Sequence, residues 1–157
     1  MPIPQKITKY LEAKKLKYKT IKHKTVYTAF DKAATLKVPE KIVGKTLVIR
    51  LDRGFAFVLI PANKNLDKNK LKKNCKAKTI NFVKEAWMKK KLKGVKIGAV
   101  PPFGAIFKLP IFVDSNFLKN PEIIINSGDY NWSIKTTPAN FKKATPDLII
   151  GNFSKPR

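Results

Sequence analysis

Apolar residues recur along the chain at two spacings, and these divide it into short helices and short strands. Over residues 4–15, Ile7, Tyr10 and Leu11 fall near one side while Lys6, Lys9, Lys14 and Lys15 are left to solvent, which predicts an amphipathic helix. Residues 18–23 alternate weakly, as a short edge strand does. Thr28-Ala-Phe-Asp31 has the hydroxyl-x-x-acid form of a helix start, and the helix runs through Ala33, Ala34 and Leu36 before stopping ahead of Pro39. The clearest unit is the pair of apolar runs at 45–51 and 55–61, separated by Asp52-Arg53-Gly54, which predicts a hairpin. The second run is apolar on both parities, the mark of a strand covered on both faces. Asp67 caps a lysine-rich helix, residues 77–80 suit a strand, and Asn81 caps a helix holding Phe82, Val83, Trp87 and Met88. Strands are predicted at 105–108, 110–113, 123–126 and 132–135. Thr137-Pro138 opens a last helix with proline at its first position, and residues 148–150 pack back. Helices and strands mix without βαβ regularity, repeat or linker, so residues 1–157 read as one α+β domain with a mixed, strongly curved sheet.

Composition adds a partner class. Apolar residues make up 43% of the 157, enough for a real core, and no apolar run approaches the ~18 residues of a membrane span. The N-terminus lacks the apolar centre of a secretory signal, and Cys75, the one cysteine, allows neither an internal disulfide nor a cysteine-based zinc site. A cytoplasmic protein without membrane contact is expected. The 34 basic side chains outnumber 10 acidic ones, for a formal net charge of +24. Such an excess points to a polyanion, with nucleic acid ahead of an acidic membrane surface. Only Arg50, Arg53 and Arg157 are arginines. A lysine bias favours phosphate contact over base reading, because ammonium is a hydrated point charge without arginine's planar fork.

Four places could carry chemistry. In the loop Gly98-Ala-Val-Pro-Pro-Phe-Gly104 the glycines allow close backbone approach, while Pro101 and Pro102 stiffen the chain; it reads as a wall of exposed backbone groups, or as an ordinary connection between strands. Lys45 shares a strand face with Leu47, Ile49 and Leu51, where an ammonium either meets an anion or lets its stem pack and its head reach water. Asp114 ends an apolar run, placed to orient a lysine or a ribose hydroxyl, or to cap a turn. Asn126-Ser127-Gly128 closes Ile123–Ile125 with small polar groups that suit a tight pocket or a plain turn. Nucleophilic triads and metal clusters have no support, since His23 is the sole histidine. Neither a P-loop nor G-x-G-x-x-G occurs. An enzyme without base or metal must rely on positioning and backbone donors, and no cofactor is expected.

Taken together these segments resemble the YbaK/prolyl-tRNA-synthetase-associated editing domains, which are aminoacyl-tRNA deacylases. The likeness runs from about Tyr18 to Phe141 and rests on five parts: T-A-F-D-K-A-A from Thr28, V-P-x-x-I-x-x-K-T-L from Val38 to Leu47, G-A-V-P-P-F-G, L-P-I-F-V-D ending at Asp114, and I-N-S-G at Ile125 to Gly128. The resemblance implies a barrel-like sheet flanked by helices. It also implies hydrolysis of the ester joining a wrong amino acid to the terminal adenosine of a transfer RNA, commonly the proline acceptor, with the substrate's own ribose hydroxyl assisting water. By that likeness Lys45 places the 3′ end, the backbone from Gly98 to Pro102 cradles it, and Asp114 supports the site. Tyr27, Thr28, Ala99, Val100, Pro101, Asn126, Ser127 and Gly128 would line the amino-acid pocket. Lys14, Lys15, Lys17 and Lys19, with the lysines of residues 64–96, are candidates for contact with the tRNA acceptor stem, and prolyl-tRNA synthetase is a candidate partner of an enzyme acting in trans. The competing reading is a non-catalytic, lysine-rich RNA-binding module on the same scaffold.

Overall fold

The computed structural model describes residues 3–157. Its elements are α1 (Gln5–Ala13), β1 (Lys19–Lys22), α2 (Ala29–Leu36), β2 (Gly44–Leu51), β3 (Gly54–Pro61), β4 (Lys64–Leu66), α3 (Lys68–Cys75), β5 (Asn81–Phe82) and α4 (Glu85–Lys91). Then come β6 (Ile111–Asp114), β7 (Ile123–Asn126), β8 (Trp132–Thr136), α5 (Pro138–Ala144), β9 (Ile149–Gly151) and β10 (Ser154–Pro156). A five-stranded sheet runs β5-β2-β3-β6-β9, a three-stranded sheet β1-β8-β7, and β4 pairs with β10.

The large sheet is organised on β3. The β2–β3 hairpin is antiparallel, whereas β6 and β9 add in parallel, so β3 lies inside a mixed sheet. Ala56 through Ile60 are all fully buried, as apolarity on both parities requires. Phe57 and Leu59 face one core with Val48, Val113, Phe103, Phe117 and Phe141, closed by Ile7 and Leu11 of α1. Val58 and Ile60 face a second core with Ile49, Phe112, Leu71 and Phe153. A smaller cluster packs Ala29 and Ala33 of α2 on Val43 and Ile124, where a parallel bridge joins the two larger sheets. Three predicted caps form: Thr28, Asp67 and Thr137 each accept the amide N–H three residues on.

The α+β character and the mixed sheet stand as expected, but the strands lie in three sheets and none closes into a barrel. Three local expectations fail. Residues 77–80 form no strand, because the Asp52 carboxylate takes the Lys78 and Thr79 amides at 2.7 and 2.8 Å. Asn81 is no cap: it pairs with Arg50 and Phe82 with Ile49 as β5, and the helix starts later, at Glu85. Residues 104–107 are a 3-10 turn, not a strand. There the chain doubles back so tightly that a Cβ on Gly104 would lie 2.2 Å from the Leu109 carbonyl oxygen. Backbone cannot yield as a side-chain tip can, so Gly104→Ala is expected to cost about 2 kcal/mol or more. Urea unfolding checks this; an unchanged midpoint would mean that the turn is free to shift.

Candidate active site

The first turn of α2 meets the start of β2. Thr28 is extended and its Oγ1 accepts the Asp31 N–H at 3.0 Å, which fixes the helix start. Thr28, Asp31, Lys45, Asn65 and Arg157 line one cavity of about 430 Å³. Lys45 stands opposite Ile60, on the sheet face its periodicity assigns. It is half-buried; that burial first, and the Arg157 charge second, hold its pKa below the usual lysine range. Among the described residues neither Lys45 nor Arg157 forms an ion pair, although Asp31 belongs to the lining. An anion entering here would relieve both the burial and the repulsion.

Tyr27 and Thr28 part ways. A Cβ at Gly98, where φ is +88°, would lie 2.8 Å from the Tyr27 carbonyl oxygen, so glycine is what lets this loop touch Tyr27. The Tyr27 ring meets Tyr130 edge to face at 4.7 Å, and the Tyr130 hydroxyl donates to the Ile97 carbonyl. Tyr27, Gly98 and Tyr130 line a second recess with Lys96, Lys89 and Glu85. Ala99, Val100, Pro101 and Pro102 are buried, which corrects the expected wall of exposed backbone. Two of their carbonyls are held by the turn at 126–128: the Gly128 N–H donates to the Ala99 carbonyl at 2.8 Å, and Asn126 Nδ2 donates to the Val100 carbonyl at 3.3 Å. Ser127 Oγ likewise turns inward, donating to the Trp132 carbonyl at 2.7 Å.

Asp114 does not face a lysine or a cavity. Wholly buried, its Oδ1 accepts the Phe153 N–H and its Oδ2 the Ser154 hydroxyl, each at 2.9 Å. The expected contact with a lysine or ribose is thus replaced by an anchor for β10, the strand that brings Arg157 to Lys45. Lys14, Lys15, Lys17 and Lys19 are exposed. Lys14 lines a recess with Tyr10, and Lys17 and Lys19 line another with Lys135; neither recess includes Lys45. No cluster of three or more His, Cys, Asp or Glu side chains is placed to hold a metal among the described residues.

Sequence reasoning missed Lys32. It is 4% exposed, and its Nζ donates to Asn126 Oδ1 at 2.6 Å. The signal was present: positions 29, 32, 33 and 36 share one helical face, and Lys32 is the charge in that apolar stripe. Asn126 thereby links α2 to the 98–102 loop through one amide.

A family model, the aminoacyl-tRNA editing domain, matches residues 23–144. The chain belongs to that family, whose activity is hydrolysis of aminoacyl-tRNA and whose partner is tRNA. A solved structure described as a candidate trans-editing enzyme for prolyl tRNA synthetase superposes with a TM-score of 0.86 at 20% identity, covering 99% of this chain and 98% of that one. Another, described as hypothetical protein APE2540, gives a TM-score of 0.86 at 23% identity over 96% and 100% of the two chains. Likeness at these identities establishes the fold. No curated protein matches the sequence significantly. No helix among the described residues is long and apolar enough to cross a membrane.

Burial lowers the Lys32 pKa from 10.5 to about 7. The folded state then binds fewer protons than the unfolded state between those values, so stability rises with pH through that window. From pH 7 to 9 this contributes about 2 kcal/mol. Lys32→Met is expected to flatten that rise in urea titrations at the two pH values. An equally steep rise in the variant would place its origin elsewhere.

Proposed function

We propose that the protein is a trans-acting aminoacyl-tRNA deacylase that removes a mischarged small amino acid (Cys, Ala, Ser or Thr) from the proline-acceptor tRNA, in the cytoplasm. One observation carries the reading: Lys45 and Arg157, two cations without carboxylate partners among the described residues, share a cavity with the Thr28 hydroxyl. The terminal phosphate of the tRNA supplies the anion that this pair lacks, and the adenosine ester then lies against the start of α2. Lys45 and Arg157 hold the phosphate; Thr28 contacts the ribose or the amino acid. Water attacks the ester carbonyl, the bond to the ribose oxygen breaks, one water proton restores the ribose hydroxyl, and the amino acid leaves as carboxylate with the other proton released to solvent. The vicinal ribose hydroxyl orients the water, so the protein's part is to position rather than to supply a base. The solved structure described as a candidate trans-editing enzyme, matched along nearly its whole length, supports action in trans and prolyl-tRNA synthetase as the partner. Tyr27, Thr28, Asn126 and Ser127 sort esters by size and polarity, with Asp114 acting through the position of Arg157.

A non-catalytic RNA-binding module remains the competing reading, and burial of residues 99–102, which leaves only Gly98 exposed in that loop, favours it. Release of amino acid from proline-acceptor tRNA charged with Ala, Cys, Ser, Thr or Pro separates the two. Selective hydrolysis of one mischarged ester is expected, falling about 100-fold in kcat/KM in Lys45→Ala, the scale of a misplaced reacting group. Binding without hydrolysis of any ester would establish the module instead. In a separate binding titration log affinity for tRNA should fall linearly with log salt, by about 0.7–0.9 per phosphate engaged. A flat profile would exclude a phosphate-led contact.

A further inference from the structure

The Lys45 cavity adjoins a second hollow. Lys45 and Asn65 line both, and the second, about 630 Å³, continues past Leu47, Asp67, Lys68, Asn69, Lys72 and Lys155 to Phe82. Together they form one groove with β2 as floor, β4 and the start of α3 as one wall, and β10 carrying Lys155 and Arg157 along it. An aromatic ring stands at each end, Phe30 (45% exposed) and Phe82 (57% exposed). Each carries a cation on its face: Arg157 lies 4.6 Å from the Phe30 centroid, and Lys68 Nζ 4.9 Å from that of Phe82. Lysines 45, 68, 72 and 155 and Arg157 have no ion-pair partner among the described residues.

We propose that this groove binds the unpaired 3′ strand of the tRNA, with bases stacked on Phe82 and Phe30 and phosphates on the cations between them. This rests on the deacylase reading and extends it: the terminal adenosine occupies the Lys45 cavity, and the nucleotides before it run towards Phe82. Charge complementarity selects a polyanion, and the rings select one whose bases are free, because bases inside a duplex already have both faces stacked on their neighbours. The amides of Asn65 and Asn69 supply donors and acceptors suited to base edges, which an acyl chain could not use. Stacking on exposed aromatics is tolerant of sequence, in keeping with a lysine-rich surface.

The test is anisotropy titration of two labelled RNAs of equal length and phosphate number, an unstructured single strand and a blunt hairpin with a long stem and a compact, self-stacked tetraloop, against wild type, Phe82→Ala, Phe30→Ala and Phe82→Trp. Base–aromatic stacking is typically worth about 1–3 kcal/mol, so each alanine variant should bind the single strand about 5- to 150-fold more weakly. Hairpin affinity should stay within about twofold, and Phe82→Trp should retain single-strand affinity. Equal losses on both probes, or none on either, would overturn the groove. So would ring-dependent binding to phosphatidylserine vesicles combined with ring-independent binding to RNA. Both substituted rings are on the surface, and circular dichroism of each variant checks that the fold is kept. Deacylation is scored separately. Ring-dependent strand binding without ester hydrolysis would keep the groove and sink the deacylase reading, and hydrolysis with kcat/KM unchanged in both alanine variants would do the reverse.

Discussion

Burial of β3 on both faces is the constraint on which the rest depends. A strand with no solvent face must have partners on both edges and a layer above and below, and the chain supplies β2 and β6 as neighbours and two separate cores as layers. Register then places chemistry. Lys45 stands opposite Ile60, and Asp114 follows Val113, the partner of Leu59. Lysine and aspartate therefore arrive level on the two flanks of one apolar strand, and the aspartate tethers β10, after which Arg157 follows.

Strand periodicity made the hairpin, the face of Lys45 and the burial of residues 56–60 legible in the sequence. The caps at Thr28, Asp67 and Thr137 were legible because a hydroxyl or carboxylate three residues before a free amide has a local physical meaning. The failures share a different cause. Whether residues 77–80 extend a sheet was decided by Asp52, 26 residues from Lys78, whose carboxylate captured the amides. Asn81 could have capped a helix, and the edge of β2 claimed it first. Long-range competitors of this kind leave no trace in local pattern.

The site divides the same way. Thr28 and Lys45 could be brought to one cavity by resemblance and periodicity, but Arg157 could not, since the tether at Asp114 and the pairing of β10 with β4 are what turn the strand after Phe153 towards them. Lys32 was passed over because helical stripes are read for what is apolar, and the informative residue was the exception. Its ammonium shares Asn126 with the Val100 carbonyl, so helix, turn and loop are braced at one amide. That arrangement makes the 98–102 loop a structural member whose outer edge, Gly98, alone reaches a recess.

The tether at Asp114 has a consequence for how this surface can vary. Arg157 is held by a carboxylate in the protein interior and by pairing of β10 with β4, where Pro156 lies opposite Lys64. The reach of its guanidinium is therefore a matter of chain length: one residue inserted between Ser154 and Arg157 would swing it to the other side of the strand, with every residue of the cavity wall still in place. Homologous chains that keep the pocket but alter this spacing would inherit the scaffold with a different charge at its mouth, so the length of a three-residue strand becomes a determinant of which anion is admitted.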